Sequence, residues 1–522
     1  MGSNPCRSSG ILFPEAPAGR DPPPMASPLQ PLPRSRFGFA EALHLLNRAG
    51  FGGTPAQVEA LRTMGPDDAV EYLVDYEKRP EPGEPPPFDP DIMRPATAEE
   101  TEIARRARQQ RDEDTLARLQ RERQDRERRD RAQLLEMQKW WLKRMIETGR
   151  PLEEKMTLFW HGHFATGYRT IENSYHLFRQ NELFRREATG NFGRLVGAIV
   201  RDPAMIKYLD NDRNRRGRMN ENLARELLEL FTMGEGNGYG EADIKETARA
   251  LTGFTFRDDE FVFNRNEHDA ATKRILGRSG NWSGDDLPAI LLDRRETAEF
   301  LCLKLHRFLV NDAPGDPDRP AREAIVAMAR RLKGSGYELK PMLRELFRSA
   351  WFHDPRNRGT VIKSPIQLIV QAIRSFRTPT RELSALVSAA DLTGQHLFQP
   401  PSVKGWDGGR SWINTATLFV RQNLLVYLIT GRRPEQYGWA LSNARFDAMH
   451  LVDGTILGTS ESGADAREVA EYLLRFALAI PPSPDRIDQV AEVLGDLSGG
   501  IPNERLLAAL CLIAALPEYQ LN

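Results

Sequence analysis

From Leu134 almost to the end of the chain, apolar residues recur at helical spacing with no regular alternation of strand and helix signals. A doubly wound parallel sheet needs that alternation, so the pattern predicts a mainly α protein instead. One β signal interrupts it. Phe254-Thr-Phe256 and Phe261-Val-Phe263 flank Arg-Asp-Asp-Glu, which predicts a short hairpin. Ahead of Leu134, Phe39–Arg48 has helical apolar spacing and Gly50-Phe-Gly-Gly53 ends it. Thr54-Pro55 then opens a second helix, with Thr as N-cap and Pro at the first helical position. No fixed-period repeat, P-loop or dinucleotide fingerprint occurs.

The charged residues are concentrated but balanced. The 522 residues carry 72 basic and 73 acidic side chains, a net charge of −1, which argues against a nucleic-acid or anionic-membrane partner. Residues 1–36 read as a disordered Pro-rich leader, and 37–522 as one large helical domain. Within that domain, 80–96 reads as a Pro-rich linker or extended strap and 97–133 as a long charged helix. Pairs such as Asp114/Arg118, Glu122/Arg126 and Asp125/Arg129 stand at i,i+4, the spacing of a solvated, salt-bridged helix. Three cysteines cannot build a disulfide framework, and Cys302 and Cys511 read as buried thiols. The longest apolar run, Leu506–Leu516, is too short to cross a bilayer, so no transmembrane segment is expected. No secretory signal is visible either. The chain as it begins reads as cytoplasmic, with export open if the true start lies elsewhere, for example at Met25.

Four stretches could carry chemistry. In Lys155-Met-Thr-Leu-Phe-Trp-His161-Gly-His163-Phe, a helix running through Gly162 sends the two imidazoles about 200° apart. A helix ended by Gly162 lets both face one side, as ligands of a divalent metal together with Glu226. In Asn220-Glu-Asn-Leu-Ala-Arg-Glu226-Leu-Leu-Glu229, Glu226 and Glu229 share a stripe, about 6 Å apart and flanked by Arg225. His268, Asp269 and Lys273 follow the predicted hairpin and suit acid–base work or a plain turn. Finally, the Pro- and Gly-dense loop Gln399–Asn414 offers Trp406, Trp412 and Asn414 as a binding platform, or is a compact loop pinned by buried Trp. Asp210, Asp212, Asn214 and Glu221 imitate a calcium loop, but Arg215 stands where glycine is needed and four arginines crowd it.

Together these stretches resemble the bacterial domain of unknown function 1800 family. The resemblance is carried by Arg48…Phe51-Gly52, Glu154–Phe164, Asn220-Glu-Asn…Arg225-Glu…Glu229-Leu-Phe-Thr, and Glu241-Ala-Asp with Ala250-Leu-Thr-Gly253. His268-Asp, Lys404-Gly-Trp406…Trp412-Ile-Asn414 and Pro517-Glu-Tyr-Gln-Leu521 extend it over roughly 37–522. It implies no established reaction. It does imply that members often carry export signals and are often encoded beside a sulfatase-like protein, a candidate partner here. The residues support two expectations. One is a hydrolase-like enzyme, metal-assisted through His161, His163 and Glu226, with Glu226, Glu229, His268 and Asp269 as catalytic groups and Arg225, Lys273, Trp406, Trp412 and Asn414 on substrate. The other is a non-catalytic binding or assembly protein.

Overall fold

A computed structural model describes residues 28–81, 83–433, 437–439, 442, 444–452, 465–497 and 500–522. Helices dominate it, joined by two separate two-stranded antiparallel sheets among the described residues. A contiguous apolar cluster runs from Leu29 to Tyr519. At its centre lies helix Pro151–His163, in which every residue but Gly162 is buried. It is buried on every side although it carries Glu153, Glu154, Lys155, His161 and His163, so these polar groups need partners inside the core.

The early helices form as their caps dictate. Helix Phe39–Arg48 is followed by Pro55–Met64, whose Thr54 side chain accepts from Gln57 N and whose Pro55 is the first helical residue. The predicted hairpin pairs Phe254–Arg257 with Glu260–Phe263, with Phe254 opposite Phe263. A second hairpin, Lys273–Ile275 with Arg278–Gly280, was not expected. Its two-residue turn puts both Leu276 and Gly277 at positive φ, the geometry of a type I′ turn. Leucine at the first position hides that turn from a sequence reading, because Asn or Asp is its usual signal.

The charged segment is two helices rather than one. Ala98–Gln110 ends at Arg111, which adopts φ 52°, and Asp112 then caps Glu113–Glu147 through Thr115 N at 3.1 Å. The two pack against each other, and the second continues into the core through Leu134, Met137, Trp141 and Leu142. The expected ion pairs are exchanged for others: Arg118–Glu122 at 3.3 Å, Arg123–Glu127 at 2.8 Å, Arg128–Asp125 at 2.9 Å and Arg129–Asp89 at 3.2 Å.

The Pro-rich stretch behaves as a strap. Phe88 packs on Trp140 and Phe178, while Gln133 donates to Asp89 O and accepts from Asp89 N. Of the expected leader, 1–27 lies outside the described residues, as does Cys6. From residue 28 it is docked: Leu29 and Leu32 are buried, and Leu32 N donates to Arg348 O at 2.8 Å. Cys302 is buried as expected, whereas Cys511 is only half-buried. The C-terminus is also tied down, with Lys363 N donating to Gln520 O and Asn522 N to Val361 O. Among the described residues, no helix is long and apolar enough to cross a membrane.

Candidate functional site

Helix Pro151–His163 runs through Gly162, so the two imidazoles leave it in opposite directions. His161 Nε2 accepts from Phe398 N at 3.0 Å, which places its proton on Nδ1. His163 Nε2 lies 2.9 Å from Phe231 O and donates to it, so there the proton is on Nε2. Burial pushes His161 down to about 3 and holds His163 well below the usual histidine range, with Lys304 adding to the latter. Both rings are neutral structural contacts. They do not share a ligand position, and among the described residues no group of three or more His, Cys, Asp or Glu could hold a metal ion.

Gly162 has a different use from the one its flexibility suggested. Gly405 sits at φ +78°, and a Cβ there would stand 2.2 Å from Gly162 O. A Cβ on Gly162 would in turn reach Trp406 Cε3 at 4.0 Å. The missing side chains therefore seat the Lys404-Gly-Trp406 loop directly on the last turn of the central helix. Trp406 is half-buried, with its ring 5.5 Å from that of His161. Trp412 is only 6% exposed and backs onto Gly394, so it anchors the loop and offers no platform. Asn414 caps helix Thr415–Thr430 by accepting from Thr417 N at 2.9 Å.

The carboxylate stripe changes helix type between its two members. Asn222–Glu226 is α-helical and Leu227–Thr232 is a π-helix, with Met233 N reaching back five residues to Leu228 O at 2.9 Å. Single π turns are frequent at functional sites. The widened turn stops at Gly234, at φ +86°, and leaves carbonyls without helical partners. Lys304 Nζ, on helix Arg295–Leu309, serves Leu230 O at 3.3 Å and His163 serves Phe231 O, so that helix and the central one together brace the π turn.

The two glutamates then have unlike surroundings. Arg225 lies 3.4 Å from Glu229 and also pairs with Glu221 at 3.2 Å and Glu241 at 2.9 Å, so Glu229 is pinned. Hydrogen bonding to Glu241 is the largest of the effects that raise the Arg225 pKa and keep it charged. Glu226 is half-buried and makes no hydrogen bond or ion pair among the described residues. Burial raises its pKa and the Glu229 charge adds to that, while Arg225 and Lys404 pull the other way. Tyr208 lies close enough that the Glu226 charge, after burial, pushes its phenol up as well.

His268, Asp269 and Lys273 are engaged elsewhere. His268 Nδ1 faces Thr252 O at 2.9 Å, and Asp269 takes Arg249 Nε at 2.8 Å, which holds its carboxyl down to about 2. Lys273 is buried and donates to Ala271 O at 3.1 Å. These three lock the second hairpin. Asp210 is paired with Arg213, and Asn214 bonds Asn211 and Ala248 O, so the calcium-like stretch is a braced turn. Lys404 and Tyr208 were not singled out from the sequence as site residues. Lys404 had a signal, its place beside Gly405; Tyr208 had none.

The family model described as protein of unknown function (DUF1800) matches residues 44–521. No curated protein and no solved structure was found to match the chain.

Proposed function

The chain belongs to the DUF1800 family, whose description assigns no chemistry, and from its site we propose a hydrolase that uses Glu226 and Glu229 on a glycosidic bond. The observation that carries this is the free, half-buried Glu226 beside the arginine-pinned Glu229. Unlike environments for two neighbouring carboxyls separate an acid from a base. Glu226 is the proton donor: its proton goes to the leaving oxygen as the C–O bond breaks. Glu229, anionic against Arg225, takes a proton from the water that adds to the sugar carbon. Trp406 offers a ring face to the sugar, and Lys404 sits where it lowers the cost of charge on Glu226 after the proton has left.

The experiment is release of new reducing ends from a panel of neutral and acidic polysaccharides. Glu226→Gln and Glu229→Gln should each lower release by at least about 100-fold with the fold intact. Release that persists in Glu226→Gln, or no release from any polysaccharide, counts against the proposal. A second reading, a non-catalytic assembly protein with a sulfatase-like partner, draws on one observation. Leu418, Phe419 and Val426 of helix Thr415–Thr430 are 37%, 57% and 38% exposed, directly after the Trp-bearing loop. Under that reading Phe419→Ser abolishes co-purification with the partner and Glu226→Gln does not.

A further inference from the structure

A cleft of about 440 Å³, lined by neither Glu226 nor Glu229, opens between helix Glu113–Glu147, the strap, helix Tyr168–Ile171 and the loop at His396. That volume falls within the range of small-molecule sites. Arg131 and Arg169 both line it, and neither makes a hydrogen bond or ion pair among the described residues. In a charged helix whose other arginines so often meet carboxylates, an unpartnered Arg131 facing a cleft stands out. Two carboxylates also line the cleft. Glu127 is taken by Arg123 at 2.8 Å, which leaves Glu172 against two guanidinium groups among the described lining residues.

A histidine completes the polar wall. Asp391 holds His396 Nδ1 at 3.0 Å, while Gln399 Nε2 donates to His396 Nε2 at 3.2 Å, so Nδ1 carries the proton. Burial lowers this imidazole's pKa, Asp391 opposes that, and Arg169 lies near enough to add to the lowering. Leu134 and Leu135 supply an apolar floor. Phe398 ties the cleft to the central helix, because its N–H goes to His161 and its carbonyl accepts from Tyr168 N at 2.9 Å.

We propose that this cleft binds a small organic oxyanion, a phosphate or carboxylate on an apolar body, with Arg131 and Arg169 on the oxyanion and Leu134 and Leu135 against the body. Guanidinium groups suit both anions because their planar fork matches two oxygens at once. Glu172 opposes the anion and so sets its affinity from the other side.

Calorimetric titration of the full chain with phenyl phosphate, benzoate and inorganic phosphate tests this. One or both aromatic anions should bind saturably with a Kd below about 1 mM, the tighter one identifying the oxyanion. Inorganic phosphate should bind at least about tenfold more weakly. Arg131→Gln and Arg169→Gln should each weaken binding by about fivefold or more, and Glu172→Gln should tighten it about twofold. All three positions are exposed, so melting temperatures should hold. Absence of saturable heat from both aromatic anions at about 10 mM overturns the proposal, as does binding unchanged in both arginine variants. Inorganic phosphate binding as tightly as phenyl phosphate overturns the organic part.

Discussion

Replacing Glu153 with Gln should make the protein less sensitive to rising pH. Glu153 and Glu154 stand side by side in the first turn of the central helix, and the arginines around them favour Glu154. Glu154 accepts from Trp141 Nε1 at 2.8 Å, Arg144 Nε at 2.5 Å and Arg185 Nε at 2.8 Å. Glu153 comes no closer than 3.5 Å to Arg144 and 3.6 Å to Arg150, and its Oε2 is buried without a hydrogen-bond partner among the described residues. Arg150 spends its Nε on Arg79 O at 3.0 Å. Burial therefore dominates, the neighbouring Glu154 charge adds to it, and the Glu153 carboxyl is pushed from 4.5 up to about 7. A carboxyl raised in the folded state contributes stability that is complete below pH 4.5 and lost as pH rises through 7. The difference corresponds to about 3 kcal/mol between those limits. Urea melts of wild type and Glu153→Gln at pH 5 and pH 8 measure it. Wild type should lose about 2–3 kcal/mol relative to the variant across that interval. A constant difference, or wild type gaining with pH, would show that Arg144 and Arg150 outweigh burial and would refute the reasoning.

Three further outcomes are expected. Gly405→Ala places a methyl against Gly162 O at a positive-φ position, so it should destabilise by more than about 2 kcal/mol and shift Trp fluorescence as the loop lifts. Thermal melts should separate the two indoles: Trp412→Ala should cost about 3–5 kcal/mol as a buried anchor, and Trp406→Ala clearly less. Excising 97–124 and closing the gap with a short Gly/Ser linker should move the melting temperature by less than about 4 °C, because Arg126 already reaches Arg94 O at 3.5 Å across the base of the hairpin. A larger drop in calorimetry would mean that the helical hairpin supports the core.

The elements legible in the sequence were those with local causes. Thr54-Pro55 marks a helix start through its own side-chain oxygen and ring, and the Phe254–Phe263 hairpin follows from period-two aromatics around a polar turn. The break at Arg111 was not legible, since arginine in the left-handed region leaves no compositional trace. The same limit governed the site. Glu226, Glu229 and Arg225 fall on one stripe because helical spacing is local. The π turn between the glutamates depends on Lys304 and His163 arriving from other helices to satisfy its carbonyls, which no local pattern encodes. Gly162 was read for its flexibility, whereas its partner Gly405 lies more than two hundred residues away and uses only its small size. Trp412 and Asn414 had the composition of a binding loop and serve as its anchor and cap.

Glu226, without a partner among the described residues, feels the charges of Glu229 and Lys404. Titration of side-chain carboxyl 13C signals in wild type, Glu229→Gln and Lys404→Met measures this directly. The Glu226 pKa should be raised from the ordinary glutamate value, fall when the Glu229 charge is removed and rise when the Lys404 charge is removed. A Glu226 that titrates at its ordinary value and ignores both substitutions would contradict it.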